Sequence, residues 1–153
     1  MKLESKQGNE RLNEIYKITS ILLNDDNDEN TLKHVLELAC SMLNLDTGIV
    51  CSIKDNEYQI LEIFQDGDDT FDKNITLRLE ETFCAETIKE NQILAIHNIP
   101  DSKYKDHKAY LKHKTSSYIG IPIKFNEKDL GTINFSSTIA KETPFTVEDQ
   151  DLV

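Results

Sequence analysis

The segment TFCAET, residues 82–87, carries the side chain of this sequence best placed for chemistry. Phe83, Ala85 and Ile88 recur at helical spacing through EETFCAETIKEN, so Cys84 falls near the start of a helix. The amide dipoles there favour an anion, and a thiol so placed is a stronger acid and nucleophile than a free one. The same position also suits a small buried residue that packs helix on sheet. Catalysis would need a base beside it. The four histidines, His34, His97, His107 and His113, fall into no catalytic or metal-ligand spacing. His34 belongs on the polar face of a helix. His107 and His113 sit in an irregular, charged and aromatic segment, residues 100–115, either as contacts to a ligand or a haem iron or as ordinary loop histidines. Cys40, Cys51 and Cys84 are odd in number and widely separated, which indicates neither a disulfide framework nor a paired-cysteine zinc site. Glycine-rich phosphate loops are absent and the carboxylates are scattered, so no catalytic residues and no metal site are predicted.

The elements that position these residues follow from hydrophobic spacing. Leu12, Ile15, Ile18 and Leu22 predict an amphipathic helix over 10–23. Asp28 is placed to cap a second helix, with Leu32, Val35, Leu36, Ala39 and Leu43 as its buried stripe. IVCSIKD and YQILEIFQ read as paired strands, ITLRL and ILAIHNI as further short ones. In SSYIGIPIKFNEKDLGTINFSS, Tyr118, Ile119, Ile121, Ile123 and Phe125 precede a polar break, and Leu130, Ile133 and Phe135 follow it, as in a hairpin. FTVEDQDLV opens a last helix with Thr146 and Asp149 as a capping box, and Val153 is expected to cut that helix short. This order predicts an α+β domain with a mainly antiparallel sheet, one domain over 10–153 behind a tail at 1–9. The net charge of −11 argues against nucleic acid or an anionic membrane as partner. Lys108, Lys112 and Lys114 read as solvated loop charges. The apolar runs are too short to span a bilayer and nothing resembles a signal peptide, so a cytoplasmic location is expected.

The order and spacing of NLDTGIVCSI, TFCAETIKENQILAIHNIP, YIGIPI, LGTINF and FTVEDQDLV resemble the GAF domain family over residues 11–153. The resemblance implies a six-stranded antiparallel sheet flanked by helices on both faces. The first and last helices would share one face, and a ligand pocket roofed by residues 100–115 would occupy the other. Gly120 and Gly131 would then lie in central strands, where a missing side chain permits close approach, or else they relieve packing or mark bulges.

The implied function is a non-catalytic regulatory or sensor domain. It would bind a small molecule, with no cofactor specified, and signal through its terminal helices to an attached output domain. Phe83, Cys84, Tyr104, His107, Tyr110, Leu111, Tyr118 and Ile119 are the pocket candidates, chosen for lid or floor position. A weak homodimer through the N-terminal helix is expected, opposed by the net charge and favoured by salt. The competing readings are a dimerisation module without ligand and an enzyme similar to the free methionine-R-sulfoxide reductases. That enzyme branch has a pre-helix cysteine comparable to Cys84 but also one in the loop before the YIGIPI strand, and residues 108–117 contain none. Bilin-binding relatives attach chromophore through a lid cysteine, also missing from residues 100–117. Of the cyclic-nucleotide motif, Asn134, Phe145 and Asp149 match, while Phe135 replaces its lysine and Gln150 its glutamate.

Overall fold

The computed structural model describes residues 30–67 and 75–153. The predicted helix over 10–23 and the capping residue Asp28 lie outside the described residues. Helix α1 spans Thr31–Leu43, and it is followed by strands β1 (Thr47–Lys54), β2 (Glu57–Gln65) and β3 (Thr76–Arg78). A 3-10 turn at Leu79–Glu81 leads into α2 (Phe83–Glu90) and β4 (Leu94–Ile96). A short helix α3 (Lys108–His113), strands β5 (Ser117–Phe125) and β6 (Lys128–Ser137), and α4 (Val147–Leu152) complete the described chain. The strands form one six-stranded sheet in the order β3-β2-β1-β6-β5-β4, every neighbouring pair antiparallel.

Two-residue turns close both hairpins. Asp55 and Asn56 join β1 to β2 with φ of 51° and 62°, and Asn126 and Glu127 join β5 to β6 with φ of 50° and 62°. Consecutive left-handed residues give a turn whose twist matches that of the strands it joins. The central strands alternate between two environments because side chains on a strand point to opposite faces in turn. On one face Ile119 and Phe135 pack with Leu36, Ala39, Cys40 and Leu43 of α1, with Leu45 and with Phe145 ahead of α4. On the other face Ile49, Cys51, Tyr58 and Ile60 meet Cys84 of α2. A satellite cluster of Phe83, Ile96, Ile99, Ala109 and Tyr118 lies under the lid.

The predicted stripe of α1 is corrected at one end. Leu32 is 39% exposed, whereas Cys40, absent from the predicted stripe, is buried, because the helix face that meets the sheet is centred on Leu36, Ala39, Cys40 and Leu43. The capping box of α4 forms as expected: Thr146 Oγ1 accepts from the Asp149 amide at 3.1 Å, and the Asp149 carboxylate accepts from the Thr146 amide at 2.8 Å.

Gly131 is required by the sheet itself. Its residue sits opposite Ser52, and a Cβ there would collide with the Cys51 carbonyl oxygen and come within 3.1 Å of Ser52 Cα. Backbone cannot yield as the end of a side chain does, so Gly131→Ala is expected to destabilise the domain by about 1–3 kcal/mol, the usual cost of overpacking. Urea unfolding should show a lower midpoint at an unchanged slope.

Candidate functional site

The face of the sheet opposite α1 carries an unusual number of polar side chains for central strands. Thr132 and Asn134 alternate with Ile133 and Phe135 on β6, so the same spacing that buries two apolar residues against α1 sends two polar ones toward α2. Tyr118 on β5 joins them. Its neighbour Gly120 points to the same face, and a Cβ there would collide with the Tyr118 hydroxyl, so the missing side chain makes room for the phenol to lie along the strand.

These groups converge on Cys84, in the first turn of α2. Its sulfur accepts from Thr132 Oγ1 at 3.1 Å and Asn134 Nδ2 at 3.3 Å, with the Tyr118 hydroxyl at 3.7 Å. The Asn134 amide also donates to Thr132 Oγ1 at 3.0 Å. Tyr118 Oη is held 2.7 Å from Thr87 Oγ1, whose hydroxyl lies 3.1 Å from the Phe83 carbonyl. Cys51, on β1, is the cross-strand partner of Thr132, and its sulfur lies 3.2 Å from the same hydroxyl that donates to Cys84. The cysteines, Thr132, Asn134 and Tyr118 are all buried.

Donors that point at a sulfur favour its anion. Burial pushes the Cys84 thiol up, but hydrogen bonds from Cys51, Thr132 and Tyr118 outweigh it and bring the pKa down to about 7. Cys51 moves the other way, raised by its hydrogen bond to Cys84, by burial and by the Cys84 charge. Of the two sulfurs, the surroundings thus favour the anion at Cys84 and the neutral thiol at Cys51. Tyr58 and Tyr118 are both pushed up, first by burial and then by the charge on Cys84.

Between this cluster and the lid lies a cavity of about 50 Å³. Tyr58, Cys84, Tyr118 and Asn134 supply polar atoms to its wall, Ile49, Ile60 and Phe83 apolar surface, and Ala109 and His113 of α3 its roof. The space suits a few water-sized groups. The lid is anchored by an aromatic stack and by ion pairs. Phe83 stacks on His107 at 4.5 Å and meets Tyr104 edge-on at 6.0 Å. Lys108 pairs with Glu80 at 3.0 Å and Lys112 with Glu81 at 2.7 Å, exposed contacts that solvent and salt screen.

Of the predicted pocket residues, Phe83, Cys84 and Tyr118 line the cavity. Tyr104 and Tyr110 pack into the cluster beneath the lid instead. His107 caps α3, its Nδ1 accepting from the Ala109 amide at 3.1 Å while Nε2 faces Glu86 at 3.5 Å, so both ring nitrogens are occupied. Its pKa is lowered, chiefly by burial, although Glu86 opposes this. Leu111 is 54% exposed on the outer side of α3. Ile119 follows Tyr118 on the strand and so faces α1, away from the cavity. Residues 100–115, read as irregular, contain α3. Cys51, Tyr58, Thr132 and Ala109 were missed. Among them Thr132 had a signal, since with Asn134 it recurs at every second place of an otherwise apolar strand. No group of three or more His, Cys, Asp or Glu among the described residues is placed to hold a metal ion.

Thiolate absorbance should rise with a midpoint near pH 7 in the native domain and vanish in Cys84→Ser. Removing a donor to the anion disfavours the anion, so Thr132→Val should move that midpoint upward by roughly 1–2 units, the value of a hydrogen bond to a charged group.

None of the curated protein sequences compared with this chain matches it. The chain is similar in structure to the GAF domain of a phosphoenolpyruvate-protein phosphotransferase from Coxiella burnetii, with 19% identity, a TM-score of 0.71, and coverage of 93% of this chain and 84% of that one. It also resembles the A. Aeolicus nlh2 GAF domain in an inactive state, at 20% identity and a TM-score of 0.61 over 95% and 86% of the two chains. A third neighbour is the type II free methionine-R-sulfoxide reductase of Thermoplasma acidophilum, at 14% identity and a TM-score of 0.61 over 80% and 82%. At these identities the likeness is one of fold. The GAF domain model matches residues 28–153, most of the chain and every described element, and the chain belongs to the GAF domain family.

Proposed function

We propose that this GAF domain is a regulatory sensor domain that takes a small molecule between sheet and lid and passes the change to its terminal helices and an attached output domain. The observation that supports the reading most is the cavity itself, in which polar groups converge behind a lid. A sensor needs two arrangements that a ligand distinguishes. Here the lid is held by exposed ion pairs, an aromatic stack and a small apolar cluster around Ala109, while the opposite face is closed by a larger apolar core. A cavity of about 50 Å³ favours a ligand of few non-hydrogen atoms, and larger ones would have to displace its walls. Among the described residues no helix is long and apolar enough to cross a membrane. A cytoplasmic location is part of the proposal, since the three cysteines are unpaired and buried, as suits a reducing compartment.

A thermal-shift screen against small oxo-acids, amino acids, nucleotides and haem tests the reading. A ligand at a hundredfold excess over its Kd should stabilise the domain by about 2.7 kcal/mol, roughly 5–10 °C in a domain of this size. Ala109→Leu, which fills the roof of the cavity, should abolish that shift, and Leu111→Ala on the outer side of α3 should leave it intact. A screen without any shift sinks the ligand and leaves an interaction module.

The third neighbour raises the enzymatic alternative for this chain. Cys84 is 2% exposed behind the lid and residues 108–117 supply no second cysteine, so the reading here is regulatory. No dithiol-dependent turnover of free methionine-R-sulfoxide is expected. Turnover that disappears in Cys84→Ser would make the domain a reductase instead.

A further inference from the structure

We propose that Cys84 and Cys51 form a dithiol switch that a small hydroperoxide closes into a disulfide. The inference goes beyond ligand sensing, because it concerns the chemistry of the cavity wall and holds whether or not a ligand binds beneath the lid. Its basis is geometric. One hydroxyl, Thr132 Oγ1, touches both sulfurs, at 3.1 Å from Cys84 and 3.2 Å from Cys51, and both cysteines belong to one buried cluster. Cys84 forms part of the cavity wall, whereas Cys51, on β1, does not; both are buried. A peroxide in the cavity would therefore meet Cys84 first. Cys40, the third cysteine, is on the far side of the sheet in the core beneath α1, and burial pushes its thiol up to about 12.

The donors around Cys84 hold it as the thiolate, the form that attacks peroxide. In the first step the Cys84 sulfur attacks one peroxide oxygen. The S–O bond forms, the O–O bond breaks, and the leaving oxygen takes a proton from solvent and departs as water or alcohol. Sulfur loses two electrons and the peroxide gains them. In the second step Cys51, as its proton passes to the departing hydroxide, attacks the Cys84 sulfenic acid. The S–S bond forms, the S–O bond breaks and water leaves. A low-molecular-weight thiol reductant supplies the two electrons that restore the pair.

The site also selects the oxidant. A cavity of about 50 Å³ has room for hydrogen peroxide, which is little larger than two waters. The net charge of −11 disfavours anionic oxidants relative to a neutral peroxide. Closure has a direction too. The sulfurs must approach to about 2.05 Å, which draws the first turn of α2 toward β1. Phe83, adjacent to Cys84 and stacked on His107 of the lid, moves with it.

The test treats the reduced full chain with equimolar hydrogen peroxide, blocks remaining thiols, and maps peptides by mass. The expected product is a Cys84–Cys51 linkage that dithiothreitol reverses, with Cys40 unmodified. In Cys51→Ser the sulfenic acid of Cys84 should persist and be trapped by a diketone probe. Cys40→Ser should react as the wild type does. Thr132→Val should slow the reaction by about tenfold, the equivalent of one lost hydrogen bond, and Thr132→Ser should restore it. Oxidation of Cys84 to sulfinic acid without linkage, equal reaction of all three cysteines, pairing through Cys40, or no reaction overturns the proposal. Because the wild-type mapping needs no variant, a misfolded substitution leaves the answer intact. Each result is independent of whether the reduced domain shows a thermal shift with ligand, so failure of the switch and failure of the sensor reading are separable.

Discussion

A sheet covered on both faces has no water with which to satisfy its polar side chains, and this constraint organises the functional half of the domain. Thr132, Asn134, Tyr118 and Thr87 are all buried, and a buried hydrogen-bonding group left unpaired costs about 1–3 kcal/mol. They are satisfied by one another and by the sulfur of Cys84. The first turn of α2 is therefore held at a specific place on the sheet, since shifting it would leave several donors without an acceptor. Phe83 is fixed with it, and through Phe83 the ring of His107 and the start of α3. The position of the lid follows from hydrogen bonds made beneath it.

The two faces do different work. Against α1 and α4 the sheet presents Ile119 and Phe135 to Leu36, Cys40, Leu43 and Phe145, a packed apolar layer in which any displacement loses contact on all sides. Under the lid, apolar surface gives way to directed polar contacts and a small cavity. The sheet connects the faces: each central strand carries a side chain of one environment next to one of the other, as Tyr118 and Ile119 do. The backbone of β5 and β6 thus joins the two environments.

Glycine spacing shows how narrow the solution is. At Gly131 the constraint is backbone against backbone across β6 and β1, and at Gly120 it is the phenol of Tyr118 lying over the strand. The second glycine thus serves the polar cluster and the first serves the sheet that carries it. The sequence left close approach and bulge as alternatives for both. The observed register shift between β5 and β6 falls between Ile123 and Lys124, whose partners are Gly131 and Asp129, so Gly131 borders the bulge while Gly120 lies away from it.

Sequence by itself determined whatever depends on local spacing. The hairpin of β5 and β6, the buried core of α1 and the capping box of Thr146 and Asp149 were legible, because period, turn chemistry and capping act within a few residues. Helix α3 was not. It has only six residues, no apolar stripe of its own, and a histidine for a cap, so nothing local distinguishes it from a charged loop. The cluster around Cys84 was beyond reach for a further reason. Its members come from β1, α2, β5 and β6, and Cys51, Cys84 and Thr132 are far apart along the chain. Which face of a strand is buried under which helix is set by strand order and register, so only the tertiary structure decided that Cys51 lies beside Cys84, that Ile119 turns away from the cavity, and that the asparagine of β6 is spent on a thiol.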